Sequence, residues 1–285
     1  MNPPAFPLDR DRICAGSSGP NLVVGREIQI FAQTDSTNDL ARRAGETGAA
    51  EGLVFFAEEQ RAGRGRRGNS WVSSRGCALL FSVLLRPAAA REKWPRLTLI
   101  AVRALLDALE SVGEVTAKWK WPNDVVVGPR KLAGILVEAT PEFAVLGIGL
   151  NVRQREEDFP LDLRGRAVSV ETIAGRPVER EALAAAILTA VDRGYGGDWA
   201  GEGFGAVRDF CVARSAFALG RAVAVATSKE QGGGKKEEAV IRGRVAGYSK
   251  EGFLLIEAKG GEIVEVSSGL VEAGMPNAGC RTPNG

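Results

Sequence analysis

The stretch Val115–Val152, which reads VTAKWKWPNDVVVGPRKLAGILVEATPEFAVLGIGLNV, decides the fold class. It contains apolar segments of strand length, separated by turn signals such as Gly128-Pro129 and Thr140-Pro141. Because short consecutive strands can be joined by tight turns, antiparallel pairing is expected. The predicted strands are Val115–Trp121, Val125–Val127, Lys131–Ala139 and Phe143–Val152.

The flanking sequence adds strands and helices to this core. Apolar runs predict strands over Leu53–Ala57 and Cys77–Leu85, with ordered sequence beginning near Arg26. Helical spacing and cap signals predict a helix from Ser36, with a capping-box-like start, and others at Pro95–Gly113, Pro177–Val191 and Phe204–Val212. The expected fold class is α+β, with a mixed, largely antiparallel sheet packed against helices.

Composition divides the 285 residues into four predicted parts. Residues 1–25 are rich in Pro, Gly and Ser and are expected to be a flexible tail, residues 26–217 form the main domain, and residues 276–285 form a second tail. Residues 218–275 are expected to form a small β-barrel. Its predicted strands are Ala222–Thr227, Ala239–Gly247, Gly252–Glu257 and Glu262–Ser267, with a hairpin tip at Gln231–Glu238.

The composition excludes several classes of function. The chain has no histidine, which excludes a Ser-His-Asp triad, a Cys-His pair and a His-ligated metal. Its net charge of +2 is too balanced for a surface that grips nucleic acid throughout. The four cysteines, Cys14, Cys77, Cys211 and Cys280, form no CxxC pair, so neither a zinc site nor a disulfide scaffold is expected. No secretory signal or membrane span is recognised, so a cytoplasmic protein is expected.

The segment Arg61–Gly68 reads RAGRGRRG and is predicted to be an anion-binding loop. Glycines let the backbone approach a ligand, and guanidinium groups bind carboxylate or phosphate oxygens. A dinucleotide fingerprint fits the glycine spacing, but no helix follows it. A P-loop is excluded because Asn69 stands where its lysine is required. A solvated basic loop or a nucleic-acid patch remains an alternative for this segment taken alone.

Three further strings could complete a site. Period two places Trp119 and Trp121 on one face of a strand whose end delivers Lys120, Asn123 and Asp124 to one edge. The plainer interpretation is that the tryptophans are core residues and Lys120 is a surface charge. Lys131 begins an apolar strand, and its plainer interpretation is an ordinary charge at the end of a strand. In Gly147–Asn151, glycine alternates with bulky residues, which suggests either a group packed closely on the strand or sheet curvature.

Taken in order, these strings resemble the biotin protein ligases. They are Ser36-Thr37-Asn38, Gln60 with the Gly63–Gly68 loop, Lys120–Asp124, Lys131–Leu136 and Gly147–Asn151, within a resemblance that spans Glu27–Ala273. The resemblance implies a biotin/lipoate ligase-like catalytic domain and an SH3-like C-terminal domain. It also implies that biotin and ATP give biotinyl-5'-AMP and pyrophosphate, and that biotin then passes to a lysine of a biotin carboxyl carrier domain of an acyl-CoA carboxylase.

The resemblance also implies roles for particular residues. Those implied to bind biotin are Ser36, Thr37, Asn38, Gln60, Arg64, Gly65, Arg66, Lys131, Gly134, Gly147 and Gly149. Those implied to bind the nucleotide are Arg64, Arg66, Trp71, Lys120, Asn123, Lys131 and Asn151. The implied catalytic residues are Arg66, Lys120, Asp124 and Lys131. Mg²⁺ is expected with ATP, and Asp124 either supports the metal or orients the incoming amine.

The same resemblance sets expectations about partners and rivals. Only about 25 residues precede the match, fewer than a winged helix-turn-helix needs, so a ligase that does not bind DNA is expected. A homodimer remains open. The loop 61–71 is expected to order over the reactive adenylate and exclude water. The alternatives are a lipoate-type ligase, which shares the chemistry, and a nucleic-acid-binding module.

Overall fold

A computed structural model describes residues 7–17, 22–197, 199–231 and 235–273. These residues fall into two compact units, one within residues 1–214 and the other within residues 215–285. The domain boundary expected after residue 217 stays a prediction. The elements of the first unit are α1 (Arg10–Gly16), β1 (Glu27–Phe31), α2 (Thr37–Glu46), β2 (Leu53–Ala57), β3 (Ala78–Leu85), α3 (Leu97–Ser111), β4 (Lys118–Lys120), β5 (Asp124–Val127), β6 (Arg130–Ala139), β7 (Ala144–Asn151), α4 (Val170–Ala174), α5 (Arg180–Gly196) and α6 (Phe204–Ala213).

The first unit is built on a seven-stranded sheet with the order β1-β2-β3-β7-β6-β5-β4. Only the β1–β2 pair is parallel, which confirms the predicted mixed, largely antiparallel sheet. Every side chain of β3 is buried, so both faces of the sheet are covered at its centre. Ala41 of α2 joins a core cluster with Phe55, Leu84 and Val145, while α3 and α5 pack on each other and contact the sheet.

The N-terminal segment differs from the flexible tail that was expected over residues 1–25. Arg10–Gly16 form α1, and the side chain of Asp9 caps this helix by accepting hydrogen bonds from the backbone N–H groups of residues 11 and 12. Ile13 is fully buried, and α1 packs on α5. The tail prediction was based on composition, and composition does not reveal that a single apolar residue, Ile13, is buried in the core. Residues 1–6 and 18–21 lie outside the described residues.

Two local predictions are corrected. Ser36 precedes α2 as its N-cap, but its side chain makes no capping hydrogen bond, so the capping-box-like start is wrong in its contacts. The strand predicted over Val115–Trp121 is only Lys118–Lys120. The backbone N–H of Val115 donates to Leu109 at the end of α3, which keeps the first residues of that stretch out of the sheet. Trp119 and Trp121 are both buried, in agreement with the plainer interpretation that the tryptophans are core residues.

The second unit is an antiparallel five-stranded sheet with the order β11-β10-β9-β8-β12. Its strands are β8 (Ala222–Gln231), β9 (Lys235–Tyr248), β10 (Leu254–Ala258), β11 (Ile263–Val266) and β12 (Leu270–Ala273). Among the described residues no pairing joins β11 to β12, so the expected closed barrel is not observed. The expected hairpin tip at Gln231–Glu238 is too long, because backbone pairing continues to Gln231 and Lys235. β12 was not predicted from the sequence.

Candidate active site

Two neighbouring strands present glycines on one face of the large sheet. Gly147, Gly149 and Asn151 share a face of β7 because side chains alternate along a strand. Gly134 pairs with Gly149 and Leu136 with Gly147, so the face of β6 that carries Glu138 is the same one. On the next strands, Asp124 pairs with Gly134 and Lys120 with Asp124. The sheet therefore offers a floor with small residues at its centre and ionisable residues at its margin.

A cluster of polar groups, here called the polar recess, lies at one end of this floor, and all its members are buried except Gln60, which is half-buried. It consists of Thr37 and Asn38 in the first turn of α2, Gln60, and Ser82 of β3. Gln60 Oε1 accepts hydrogen bonds from the backbone N–H of Thr37 at 2.7 Å and from its hydroxyl at 3.0 Å. The Ser82 hydroxyl lies 2.7 Å from Thr37 Oγ1 and donates to Asn38 Oδ1 at 2.6 Å.

Gly147 lies at the base of the polar recess. Ser82 pairs with it across β3 and β7, so both residues face the recess. A Cβ added at residue 147 would lie 2.1 Å from Asn38 Oδ1, so only glycine leaves room for this amide. Ser36 is buried at the entry to the same helix. The structure thus brings together the Ser36–Asn38, Gln60 and Gly147 strings that the sequence singled out.

The glycine-arginine loop, here called the flap, comprises residues 61–71. Backbone hydrogen bonds from Arg61 to Thr34 and from Trp71 to Gly63 close its base, and Arg64 and Ser70 form an isolated antiparallel bridge. A Cβ at residue 63 would meet the carbonyl oxygen of Trp71 at 2.4 Å, so glycine is needed there. Apart from a single 3-10 turn at residues 66–68, the flap has no helix, as its sequence predicted.

The side chain of Trp71 packs on the glycines of the floor and so connects the flap to the sheet. A Cβ added to Gly149 would lie 2.6 Å from the indole ring, and one added to Gly134 would lie 3.0 Å from it. The Lys131 ammonium lies 5.5 Å from the centre of the same ring, a cation–π distance. The indole Nε1 is buried without a hydrogen-bond partner among the described residues. A buried donor of this kind is costly unless an acceptor reaches it.

Lys131 is turned toward the floor by an irregularity in the sheet. In an unbroken strand, residues 131 and 134 would face opposite sides. The β5–β6 register shifts between Val125 and Val126, and the Lys131 ammonium lies 2.7 Å from Asp124 Oδ1, beside Gly134. Re-aiming a side chain is a common effect of a β-bulge. Backbone hydrogen bonds with Arg166 and Val168 hold Lys131 in this position.

The cations of the site differ in whether they are already paired. Arg64 contacts Asp39 at 2.9 Å and Glu138 at 2.8 Å, and Lys131 contacts Asp124. Within the described part of the chain, the side chains of Arg66 and Lys120 form no ion pair. Burial lowers the pKa of the Arg66 guanidinium below its usual value, Arg67 lowers it further, and Asp124 raises it. Two adjacent guanidinium groups, one of them half-buried, favour a bound anion.

Two asparagines of the predicted nucleotide site hydrogen bond to the chain itself. Asn123 Nδ2 donates to the Ile135 carbonyl at 2.7 Å, which ties the turn after β4 to β6 next to Gly134. Asn151 is buried, donates to Val168 at 3.2 Å and accepts from Gln154 at 3.1 Å. Both residues therefore hold the floor together, and their predicted contacts with a nucleotide stay predictions.

Comparison with known proteins shows which family shares this sequence. Residues 30–154 match the biotin/lipoate A/B protein ligase family. The bifunctional ligase/repressor BirA of Bacillus spizizenii is 30% identical over 257 residues, covering 88% of this chain and 75% of the relative. The chain belongs to the biotin protein ligase family. The biotin–[acetyl-CoA-carboxylase] ligase of Mycobacterium tuberculosis is 37% identical over 191 residues, 64% of this chain and 68% of the relative.

Solved biotin protein ligases share the fold. The enzyme from Aquifex aeolicus in complex with biotin and ATP is 28% identical, with a TM-score of 0.73 over 87% of this chain and 98% of its own. A mutant of that enzyme in complex with biotin gives 26% identity and a TM-score of 0.74 over 87% and 99%. The match spans both units of the chain.

Three residues at this ligase site were missed by the sequence interpretation. Ser82 is fully buried in the otherwise apolar strand β3, and a lone hydroxyl there must find a partner, which is a usable signal. Asp39 and Glu138 bracket Arg64, but carboxylates on a helix and at a strand end are common on protein surfaces. Only the fold reveals that both meet the flap.

No group of three or more His, Cys, Asp or Glu side chains within the described ranges is placed to hold a metal ion. At the margin of the floor, the carboxylate of Asp124 contacts Lys131. No helix among the described residues is long and apolar enough to cross a membrane. Cys14, Cys77 and Cys211 are free thiols, and Cys280 lies outside the described residues.

Proposed function

We propose that the protein is a biotin protein ligase with two half-reactions at the site described above. In the first, a biotin carboxylate oxygen attacks the α-phosphorus of ATP, and pyrophosphate leaves as biotinyl-5'-AMP forms. In the second, the amine of a carrier lysine attacks the acyl carbon and AMP leaves. The observation that carries this proposal is the alignment, along one sheet face, of a polar recess, a glycine floor and a group of cations.

The polar recess suits the ureido end of biotin. Thr37, Asn38 and Gln60 supply hydroxyl and amide groups that match a small polar head, and Ser82 adds a fully buried hydroxyl. Glycine at residues 134, 147 and 149 lets the Trp71 ring and the Asn38 amide lie close to the strand backbones, with Ser36 at the entry to the helix. The recess supports a ligand that has one polar end and an otherwise apolar body.

The cations suit the reacting end of the substrates. A carboxylate must approach a polyanion, so positive groups have to cancel their repulsion and stabilise charge that develops on the α-phosphoryl group. Lys131 is aimed at the floor, and Arg66 and Lys120 have no competing ion pair among the described residues. We assign these three residues to the carboxylate and phosphates, with Arg64 and Gly65 beside them in the flap.

Trp71 is assigned to the nucleotide. Its ring covers Gly134 and Gly149, and its buried Nε1 donor has no partner among the described residues. A ring that can stack on a base and donate one hydrogen bond fits the nucleotide, with Asn123 and Asn151 holding the strands beneath it. The glycines of the flap allow the segment to close and exclude water from the mixed anhydride.

Magnesium is expected to arrive with ATP. Mg²⁺ is usually held by one or two carboxylates together with substrate phosphates and waters, so a site with one nearby carboxylate fits this mode. Asp124 is the carboxylate in question, and its contact with Lys131, which is assigned to the phosphates, supports this role. When bound, the ion would neutralise phosphate charge. Orienting the carrier amine is the alternative role of Asp124, and both assignments are proposals.

Several wider assignments accompany this function. The second unit is proposed to be the SH3-like domain of the family, and the carrier is proposed to be the biotin carboxyl carrier domain of an acyl-CoA carboxylase. A cytoplasmic location, the absence of DNA binding and a homodimer stay predictions from the sequence. A balanced charge of +2 is consistent with a protein partner.

The decisive experiment mixes the pure protein with Mg-ATP and biotin and analyses the products by mass spectrometry. Biotinyl-5'-AMP is expected first, and a carrier domain added afterwards is expected to gain biotin on one lysine. Lipoate in a parallel reaction tests the lipoate-type ligase, and salt-sensitive oligonucleotide binding without adenylate formation would favour the nucleic-acid module. Selective use of lipoate, or the absence of any adenylate, would overturn the proposal.

A further inference from the structure

Glu138 connects the polar recess to the flap through a single oxygen atom. It lies near the end of β6, on the face shared by Gly134 and Leu136. Its Oε2 accepts a hydrogen bond from Asn38 Nδ2 at 2.7 Å and another from Arg64 Nη2 at 2.8 Å. One donor belongs to the recess and the other to the flap, so the two parts of the site share an acceptor.

Arg64 is held between two carboxylates. One guanidinium nitrogen contacts Asp39 at 2.9 Å, and another contacts Glu138 at 2.8 Å. If the flap lifted, the two carboxylates would lose the cation between them and would repel each other, since like charges repel at short distance. The arrangement therefore favours the flap position in which Arg64 stays between Asp39 and Glu138.

Glu138 also fixes the orientation of the Asn38 amide. An ionised carboxylate can only accept hydrogen bonds, so it selects the NH₂ side of the amide. The amide oxygen is then directed to Ser82, at 2.6 Å, and to the space over Gly147. Without the carboxylate, the orientation of Asn38 loses one of its two restraints. Asp39 contacts Arg64 without this link, which separates its effect from that of Glu138.

We propose that Glu138 is a positioning residue that couples occupation of the biotin recess to closure of the flap, an inference that rests on the function proposed above. It acts through Asn38 at one end and through Arg64 at the other. Removing its charge loosens both, so biotin binds more weakly and the adenylate escapes faster. ATP binding changes less, because Lys120 and Lys131, which are also assigned to the phosphates, lie on strands of the sheet and not in the flap.

The test compares Glu138→Gln with two matched variants. Asp39→Asn removes the other carboxylate on Arg64 but leaves Asn38 untouched, and Glu142→Gln removes an exposed carboxylate just beyond β6. Biotin affinity is measured by calorimetry, KM is measured for biotin and for ATP, and escape of labelled biotinyl-5'-AMP is followed over time. Melting temperatures establish that each variant is folded, and Glu138→Asp, which keeps the charge but shortens its reach, serves if Glu138→Gln is unstable.

For Glu138→Gln we expect biotin Kd and KM to rise about tenfold and adenylate escape to accelerate about tenfold, the effect of losing one charged hydrogen bond at each end. The KM for ATP should stay within about twofold of the wild type. Asp39→Asn should accelerate escape with a smaller loss of biotin affinity, and Glu142→Gln should resemble the wild type.

Three results would overturn the coupling. They are unchanged biotin affinity and adenylate escape in Glu138→Gln, identical profiles in Glu138→Gln and Asp39→Asn, or an equal rise in KM for both substrates. Failure of the wild type to make any adenylate is a different outcome, because it overturns the proposed function and this inference with it.

Discussion

The indole ring of Trp71 lies against the backbone of Gly149, where an added Cβ would come within 2.6 Å of the ring. Gly134, the partner of Gly149 on the neighbouring strand, makes the second close approach at 3.0 Å. Two glycines paired across β6 and β7 therefore form the seat through which the flap meets the sheet. The alternation of glycine with bulky residues in Gly147–Asn151 reflects this packing on the strand.

Gly149→Ala tests the seat of Trp71. The added methyl group must displace the ring, and overpacking of this kind costs about 1–3 kcal/mol, so adenylate formation should slow by about ten- to a hundredfold. The rate is measured by biotin-dependent pyrophosphate exchange. Gly205→Ala in α6 is the control, because a Cβ there meets no atom within 4 Å. A wild-type rate in Gly149→Ala would remove the seat from the mechanism.

Arg66→Gly tests retention of the intermediate by the flap. The fold should be intact, because the Arg66 side chain makes no ion pair with the described residues, but the loss of a half-buried cation should let the adenylate escape. Escape is detected as biotin on bystander lysines of an added unrelated protein. Arg61→Gly, which removes an exposed arginine that pairs with Asp35, gives a matched gain in backbone freedom. Unchanged retention in Arg66→Gly would refute the role.

The local elements of the fold were predictable from sequence, but their arrangement was not. β2 has the bounds that were predicted, because Leu53–Ala57 is a wholly apolar run between Gly52 and Glu58. The order of the sheet, which places β7 between β3 and β6, depends on contacts between distant parts of the chain. The docking of α1 depends on the core position of Ile13. Neither leaves a periodic signal in the sequence.

The site was predictable where chemistry is concentrated in a short string. The flap, Gly147, Gly149 and Lys131 stand out because glycine, arginine or lysine interrupts an apolar pattern. Glu138 does not, because a carboxylate at a strand end is ordinary until the fold brings Asn38 and Arg64 to the same oxygen. The direction of the Lys131 side chain depends on a register shift between β5 and β6. Alternation of side chains alone would have placed Lys131 on the opposite face of the sheet.

Cys211 is expected to contribute to a loss of stability in alkaline solution. The pKa of this thiol is raised from 9.0 to about 12, chiefly by burial and in part by Asp107, while Arg103 and Arg214 oppose the shift. Above pH 9 the unfolded chain releases this proton while the folded chain retains it, so the contribution is complete below pH 9 and is lost as the pH rises toward about 12.

The measurement is the free energy of unfolding in urea between about pH 8 and 11, a range set by the ordinary thiol pKa. The wild type should lose stability more steeply than Cys211→Ala. Tyr195, whose pKa burial and Glu51 also raise, is common to both proteins, so the difference in slope reports the thiol. Parallel pH profiles would contradict the assignment.

Breaking the buried ion pair between Arg180 and Glu58 should destabilise the first unit strongly. The two side chains are 1% and 5% exposed, with Arg180 Nη1 2.8 Å from Glu58 Oε2, and Arg180 also donates to the Ala78 carbonyl. Arg180→Met would leave the Glu58 carboxylate buried without its cation, which typically costs about 3–5 kcal/mol. Urea denaturation should show this loss, while adenylate formation per folded molecule stays at the wild-type rate.

Arg12→Met, which breaks the exposed pair with Glu179, is the matched control and should change the unfolding free energy little, because solvent screens that pair. Equal losses in the two variants would show that burial does not set the strength of the Arg180 contact.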